Sequence, residues 1–283
     1  MSASSKYSQL RTQLASHLER GLLIAFSGGV DSAFLCWAAQ AEQLASGGRL
    51  LAVTTSSESL ASAERADAAK FISDHGIPHR WANSREFEDE RYLVNDASRC
   101  YHCKSELFRI CREIAAEEGL GVIAYGYNAS DRGDTRPGHV AAIENGVVSP
   151  LADAGLGKDE IRRIMRENRL ELADKPASPC LSSRVVTGVA ITSEKLRAID
   201  ELESGLRSKG LSVFRVRVHE NNGSRTARLE VSPDEIDAAF ALRTEFAADA
   251  KRLGFRWATL DLDGYIDRKS TRLNSSHTDI SRM

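Results

Sequence analysis

Short apolar runs alternate with longer stretches of helical periodicity through the first part of the chain. Residues 6–20 carry a mixed helical pattern, and Leu22-Leu23-Ile24-Ala25-Phe26 then forms a continuous apolar run that stops at Ser27-Gly28-Gly29. Such a run, closed by glycine, predicts a strand buried on both faces. The segment Asp31 to Ala39 is rich in good helix formers, so the unit reads strand, glycine loop, helix. A second apolar run covers residues 50–55, and a helix-like stretch at 60–75 leads to Gly76-Ile77-Pro78. A further helical segment, 103–118, precedes a short strand at 121–126 that ends at Gly126. This order predicts an α/β domain over residues 1–188, a doubly wound and mostly parallel sheet covered by helices.

Beyond Pro150 a helix is expected at 157–169. Lys175-Pro176-Ala177-Ser178-Pro179-Cys180 follows, and its two prolines predict an ordered loop. From Thr192 the pattern restarts as helix (193–208), strand (211–218), strand (225–231), helix (233–253) and strand (255–262), a smaller α+β domain over 189–266. The stretch Asp267–Met283 is polar and without periodicity, and a simple codon choice for its first part reproduces a sequencing-library adapter. It is set aside from fold and function.

The composition, 42% hydrophobic and 28% charged over 283 residues, is that of a globular chain long enough to bury a core. No run approaches the roughly 20 apolar residues that span a bilayer, and the opening residues lack the apolar centre of a secretory signal, so the cytosol is the expected compartment. Without the tail's Arg268, Lys269, Arg272, Arg282, Asp267 and Asp279, 34 basic residues face 38 acidic ones, a net charge of −4. That balance, with no dense Lys/Arg run, weighs against a nucleic-acid partner. Cysteines stand at 36, 100, 103, 111 and 180. In a reducing compartment they suit metal or thiol chemistry better than disulfides. Cys36 and Cys111 fall in apolar helical segments and read as core.

Ser27-Gly28-Gly29-Val30-Asp31-Ser32 lies where a doubly wound sheet binds ligands, beyond the carboxyl end of a strand and at a helix N-terminus. Its glycines permit close backbone approach, its amides and helix dipole favour an anion, Ser27 and Ser32 add hydroxyls, and Asp31 can hold a Mg²⁺ that bridges phosphate oxygens. It lacks the Lys of a Walker A sequence and the pattern of a dinucleotide fold. A plain N-capped turn would explain one glycine and Asp31 but not the full set. SGGVDS in this setting resembles the PP-loop of the ATP pyrophosphatases, which cleave ATP between the α and β phosphates and transfer AMP to a substrate oxygen. The resemblance implies that ATP lies against Ala25, Ser27, Gly28, Gly29, Val30, Asp31 and Ser32. It extends to Gly126, Asn128 and Asp131 in YGYNASD, and to Thr54 on the second strand, where that family reads adenine. Asn128 and Asp131 read equally as turn residues.

Cys100-Tyr101-His102-Cys103 places two thiols three residues apart near Arg99 and Lys104, cations that favour thiolate. Cys180 adds a third from a loop. Three thiolates can bind three irons of a [4Fe–4S] cluster and leave the fourth open to exogenous sulfide, whereas a zinc site would draw in His102. RCYHCKSELF and ASPCLSSR, after SGGVDS, resemble the LarE family of ATP-dependent sulfur transferases that build the nickel-pincer cofactor of lactate racemase. The resemblance implies an acyl-adenylate formed on each carboxylate of a pyridinium-3,5-biscarboxylate mononucleotide, followed by sulfur delivery. It also implies a cytoplasmic homo-oligomer, hexameric in that family, working beside other nickel-pincer maturation enzymes. Some members sacrifice the sulfur of the cysteine in PCLxSR, and others carry three cysteines and a cluster. Cys180 is therefore either sulfur donor or third ligand, and Cys100 and Cys103 favour ligand. Lys104 and Arg184 are candidates to neutralise developing phosphate charge, each also readable as a surface cation.

In the second domain Val213 to Val218 alternates apolar and basic residues, setting Arg215 and Arg217 on one strand face as a candidate clamp for the substrate phosphate. Pairing with Glu230 on a neighbouring strand is the plainer reading. Competing activities are tRNA 2-thiolation, which needs a polyanion surface, and an ammonia-using amide ligase, which needs no cysteines. A non-catalytic zinc or cluster-binding protein would have no use for an intact SGGVDS.

Overall fold

The computed structural model describes residues 2–132, 137–176 and 178–265; the Asp267–Met283 tail lies outside them. The described chain divides into two compact units, one running to Ser183 with Thr187–Ser193, the other made of Arg184–Val186 and the chain from Glu194. The exchange between units is spread over residues 183–194 rather than falling at a single point.

The first unit runs α1 (Ala3–Glu19), β1 (Leu22–Ala25), α2 (Val30–Ser46), β2 (Leu50–Ser56), α3 (Ser62–Asp74), β3 (His79–Asn83), α4 (Glu90–Leu93), α5 (Arg99–Glu118), β4 (Val122–Tyr125), α6 (Pro137–Glu144), α7 (Pro150–Asp153) and α8 (Lys158–Glu167). Its strands form a parallel four-stranded sheet in the order β3-β2-β1-β4. Side chains alternate across β1. Leu22, Ile24 and Phe26 join one core with residues of α1, α2, α3 and α8, while Leu23 and Ala25 join another with α5 and α6. A strand covered by helices on both faces has no polar face to show, which is why its sequence is apolar throughout.

The path matters for function. The chain steps outward from β1 to β2 to β3, then returns to place β4 on the other side of β1. That reversal opens a crevice beyond the carboxyl ends of β1 and β4, between the loops that begin at Phe26 and Gly126.

Several elements depart from the sequence pattern. The edge strand β3, His-Arg-Trp-Ala-Asn, was not expected, because a partly exposed edge carries no apolar run. α5 begins at Arg99, four residues before the expected start, which puts both Cys100 and Cys103 in helix.

The second unit contains α9 (Ser193–Ser208), β5 (Phe214–Asn221), β6 (Ser224–Val231), α10 (Ile236–Ala241), α11 (Arg243–Arg252) and β7 (Trp257–Leu260). β5 and β6 form an antiparallel hairpin, and β7 joins β6 in parallel. The single helix expected at 233–253 is broken at Leu242, between α10 and α11. No described helix is long and apolar enough to cross a membrane.

Candidate functional site

β1 delivers the chain to its glycine loop at the crevice. Gly28 takes φ +73°, a left-handed conformation that favours glycine, and turns the chain into Gly29, the N-cap of α2. The Ser32 hydroxyl closes the loop on itself, accepting from the Ser27 amide at 3.2 Å and donating to the Gly29 carbonyl at 3.0 Å, with the Ser27 hydroxyl 3.0 Å away. Gly126 is the reason β4 meets this loop so closely. A Cβ there would stand 2.6 Å from the Ser32 nitrogen and 2.9 Å from its Cα. Asp31 sits in the first turn of α2.

Asn128 and Asp131 are buried, 1% and 7% exposed. The Asn128 side chain accepts from the Ser130 amide at 2.9 Å, and Tyr127 donates its hydroxyl proton to the Asp131 carbonyl at 2.9 Å, so this segment is a built turn. Thr54 is also inside: its hydroxyl donates to the Phe26 carbonyl at 2.9 Å and lies 2.9 Å from His79 Nε2. That hydroxyl serves the sheet.

Beyond the glycine loop lies a recess of about 110 Å³ lined by Gly29, Val30, Asp31 and Glu64 together with Lys158, Arg162, Lys175, Pro176 and Ser178. Its three cations were absent from the sequence reading, since they stand 127 to 144 positions after Asp31 and form no local motif with it. Arg162 donates to the backbone carbonyls of Ala173 and Lys175 and so holds the loop that leads to Cys180. The Lys175 ammonium lies 2.8 Å from both Glu64 and Asp67 and 3.5 Å from the Gly28 carbonyl.

The structure brings Cys100, Cys103 and Cys180 into one electrostatic neighbourhood. Cys100 and Cys103 are three residues apart on α5 and therefore share a face. Arg99 ties that turn to the Cys180 loop: it donates to Asn95 Oδ1 at 2.7 Å and to the Ser182 carbonyl at 2.9 Å, with Cys100 Sγ at 3.7 Å. The loop is pinned again by the Leu181 amide on the Ser59 carbonyl at 2.8 Å and by the Tyr92 and Ser182 hydroxyls at 2.5 Å.

Glu86 is a site residue that the sequence reading missed. Its buried carboxylate accepts from Ser57 and Ser59 at 2.6 Å each and faces Cys103. The expectation that nearby cations favour thiolate is corrected here. Burial, with the Glu86 carboxylate added, pushes the Cys103 thiol well above its ordinary value despite Lys104. Solvent reaches Cys180, yet protein crowds its remaining sides and pushes that thiol up too, with Arg99 offsetting part of the effect. His102 stands 4.0 Å from Asp89, and among the described residues no three His, Cys, Asp or Glu side chains meet at single-ion distance.

Cys36 and Cys111 are fully buried in separate core clusters, and burial lifts the Cys111 thiol to about 12. With a disulfide-exchange reagent on the native metal-free chain, Cys100 is expected to label fastest, Cys103 and Cys180 more slowly, and Cys36 and Cys111 only in denaturant. Peptide mass mapping at timed quenches checks this. Native labelling of Cys36 or Cys111 at the Cys100 rate would contradict the core assignment.

The remaining candidates sit in packed surroundings. Lys104 packs its stem where α6 crosses α5, and a Cβ at Gly138 would stand 2.9 Å from its Cγ. Arg184 is 3% exposed and forms a two-pronged pair with Glu203, at 3.0 and 3.2 Å; the surface-cation reading does not hold for it. Glu203 also accepts from the Val216 amide at 3.0 Å. Arg217 pairs with Glu230 at 3.0 Å, as the plainer reading had it, while Arg215 stacks on the Tyr265 ring at 4.5 Å. Arg228, directly opposite Arg217 in the β5–β6 register, shares Glu230 at 2.8 Å, which relieves a like-charge pair.

Comparison with known proteins bears on the whole chain. No family model matches it. An uncharacterized protein of Synechocystis sp. is 38% identical over 274 residues, covering 95% of this chain and 98% of the relative. Pyridinium-3,5-bisthiocarboxylic acid mononucleotide synthase of Lactiplantibacillus plantarum is 29% identical over 255 residues, covering 90% of this chain and 89% of that protein. An uncharacterized protein of Methanocaldococcus jannaschii is 26% identical over 251 residues, 86% of this chain and 90% of its own length. With coverage near complete in both directions, the chain belongs to one family with the Synechocystis protein, and its likeness to the Lactiplantibacillus plantarum synthase supports the LarE resemblance of its glycine loop and cysteine motifs.

Proposed function

We propose that this protein is an ATP-dependent, AMP-forming sulfur transferase that converts the carboxylates of pyridinium-3,5-biscarboxylic acid mononucleotide to thiocarboxylates, the chemistry that supplies the nickel-pincer cofactor. The observation that carries this reading is a physical link between two chemistries. Lys175 reaches the Gly28 carbonyl of the nucleotide loop and lies five residues before Cys180 on the same segment. The named synthase among the relatives supports the substrate.

A carboxylate is a poor acceptor for sulfur because its leaving group would be oxide. In the proposed reaction a carboxylate oxygen attacks the α-phosphorus of ATP, the bond to the β-phosphate oxygen breaks, and pyrophosphate leaves. Anionic sulfur then attacks the acyl carbon of the mixed anhydride and AMP departs with the bonding electron pair, leaving a thiocarboxylate. The glycine loop and Asp31, with a Mg²⁺, orient the triphosphate.

Cys100, Cys103 and Cys180 fit a [4Fe–4S] cluster as a donor set. They are three thiols on two elements, and the other two cysteines are locked in the core. Such a cluster, when bound, would supply an iron that carries exogenous sulfide as an anion. Arg99 joins the turn that carries Cys100 to the Cys180 loop through the Ser182 carbonyl, and the Glu86 carboxylate lies beside Cys103.

Anaerobic incubation of the reconstituted protein with ATP, Mg²⁺, sulfide and the pyridinium mononucleotide tests the function. One AMP and one pyrophosphate are expected per sulfur-for-oxygen exchange seen by mass spectrometry. Absence of both AMP and product would reject the proposal; AMP formed only with a tRNA substrate would move the activity to 2-thiolation.

A further inference from the structure

Resting on the nucleotide reading above, we propose that Lys158 is the side chain that binds the phosphates departing as pyrophosphate. The recess facing the glycine loop carries three cations, and they differ in what already holds them. Arg162 is spent on two backbone carbonyls. Lys175 bridges the carboxylates of Glu64 and Asp67, and withdrawing it would strand two negative charges beside the incoming anion. Lys158 makes no ion pair and no side-chain hydrogen bond among the described residues. An anion can engage it without breaking an existing pair.

The backbone under Lys158 is braced. Its amide donates to Ser130 Oγ at 3.0 Å, and a Cβ at Gly157 would stand 2.9 Å from that same oxygen, so glycine lets α8 seat against the turn at Ser130. Glu160 accepts from the Gly157 amide at 3.0 Å and is itself held by Lys6 at 2.7 Å. A flexible ammonium on a braced base can follow a phosphate as it leaves, and lysine binds phosphate as a point charge without demanding the planar geometry of a guanidinium. Ser130 thereby gains a purpose: it seats the first residue of α8, Lys158, at the recess that Asp31 also lines.

Calorimetric titration of the full chain with Mg²⁺ tests the assignment, using ATP, inorganic pyrophosphate and AMP as separate probes. Lys158→Met is expected to weaken ATP and pyrophosphate about ten-fold and leave AMP unchanged, while Lys158→Arg keeps most of the affinity. Equal weakening of all three probes would point to damaged structure, and no weakening to a bystander; either overturns the assignment. A wild-type chain that binds no ATP would sink the nucleotide reading and take this assignment with it. ATP bound normally by wild type and by Lys158→Met alike would remove Lys158 alone.

Discussion

Replacing Asp31 with alanine is expected to cut pyrophosphate release by a hundred-fold or more while the fold persists. Asp31 is the second residue of α2, it lines the recess beyond the glycine loop, and a carboxylate there is the group suited to hold a Mg²⁺ against phosphate oxygens. Losing one preorganised group that stabilises charge developing at the transition state costs about 10²–10³ in rate. The pyrophosphate assay should be run beside a thermal melt, because Asp31 also favours the α2 N-terminus electrostatically, an effect worth only about 0.3–1 kcal/mol. A variant that melts near wild type and still releases pyrophosphate at the normal rate would remove Asp31 from the metal role. Asp31→Asn sharpens the test, since it keeps the shape and loses the charge.

Cys100→Ala should abolish iron binding and repeated turnover together. Anaerobic reconstitution of the wild type is expected to give about four irons and four acid-labile sulfides per chain, and the variant near none. Cys100 is the informative position because Cys180 would also be lost as a single-use donor, so its removal stops the reaction under either mechanism. If the wild type binds no iron and Cys100→Ala still completes one turnover with loss of the Cys180 sulfur, the cluster is refuted and sacrifice stands. An iron-free variant with full multiple turnover would refute both. Glu86 enters this comparison through its contact with Cys103: a carboxylate held by two serine hydroxyls faces a ligand position, and no spacing rule announces it.

The part of the site that the chain writes locally was legible. SGGVDS sits between a strand and a helix in the sequence as in the structure, because a glycine turn and a helix N-terminus are built from neighbouring residues. The pairing of Arg217 with Glu230 was also within reach, since strand alternation and a hairpin fix which residues meet. Arg184 shows the opposite case. Its motif suggested a cation turned toward a ligand, whereas Glu203, nineteen positions later, holds it in a buried two-pronged pair. The charge state of the thiols also escaped the sequence. Neighbouring Arg99 and Lys104 argued for thiolate at Cys100 and Cys103, but burial outweighs Lys104 at Cys103, and burial belongs to the packed chain.

The sequence by itself determined the alternation of strands and helices, the glycine loop and the small second unit, because apolar periodicity, turn residues and short motifs are local properties of the chain. The tertiary structure alone decided which strand lies beside β1, and so where the crevice opens. It also decided that Gly126 abuts Ser32, that Lys158, Arg162 and Lys175 face the glycine loop, and that Arg99 binds the Cys180 loop to α5. These contacts join residues many tens of positions apart. They follow from the burial of two apolar sheet faces under helices, and that packing, which no short window of sequence contains, sets the distances on which the chemistry depends.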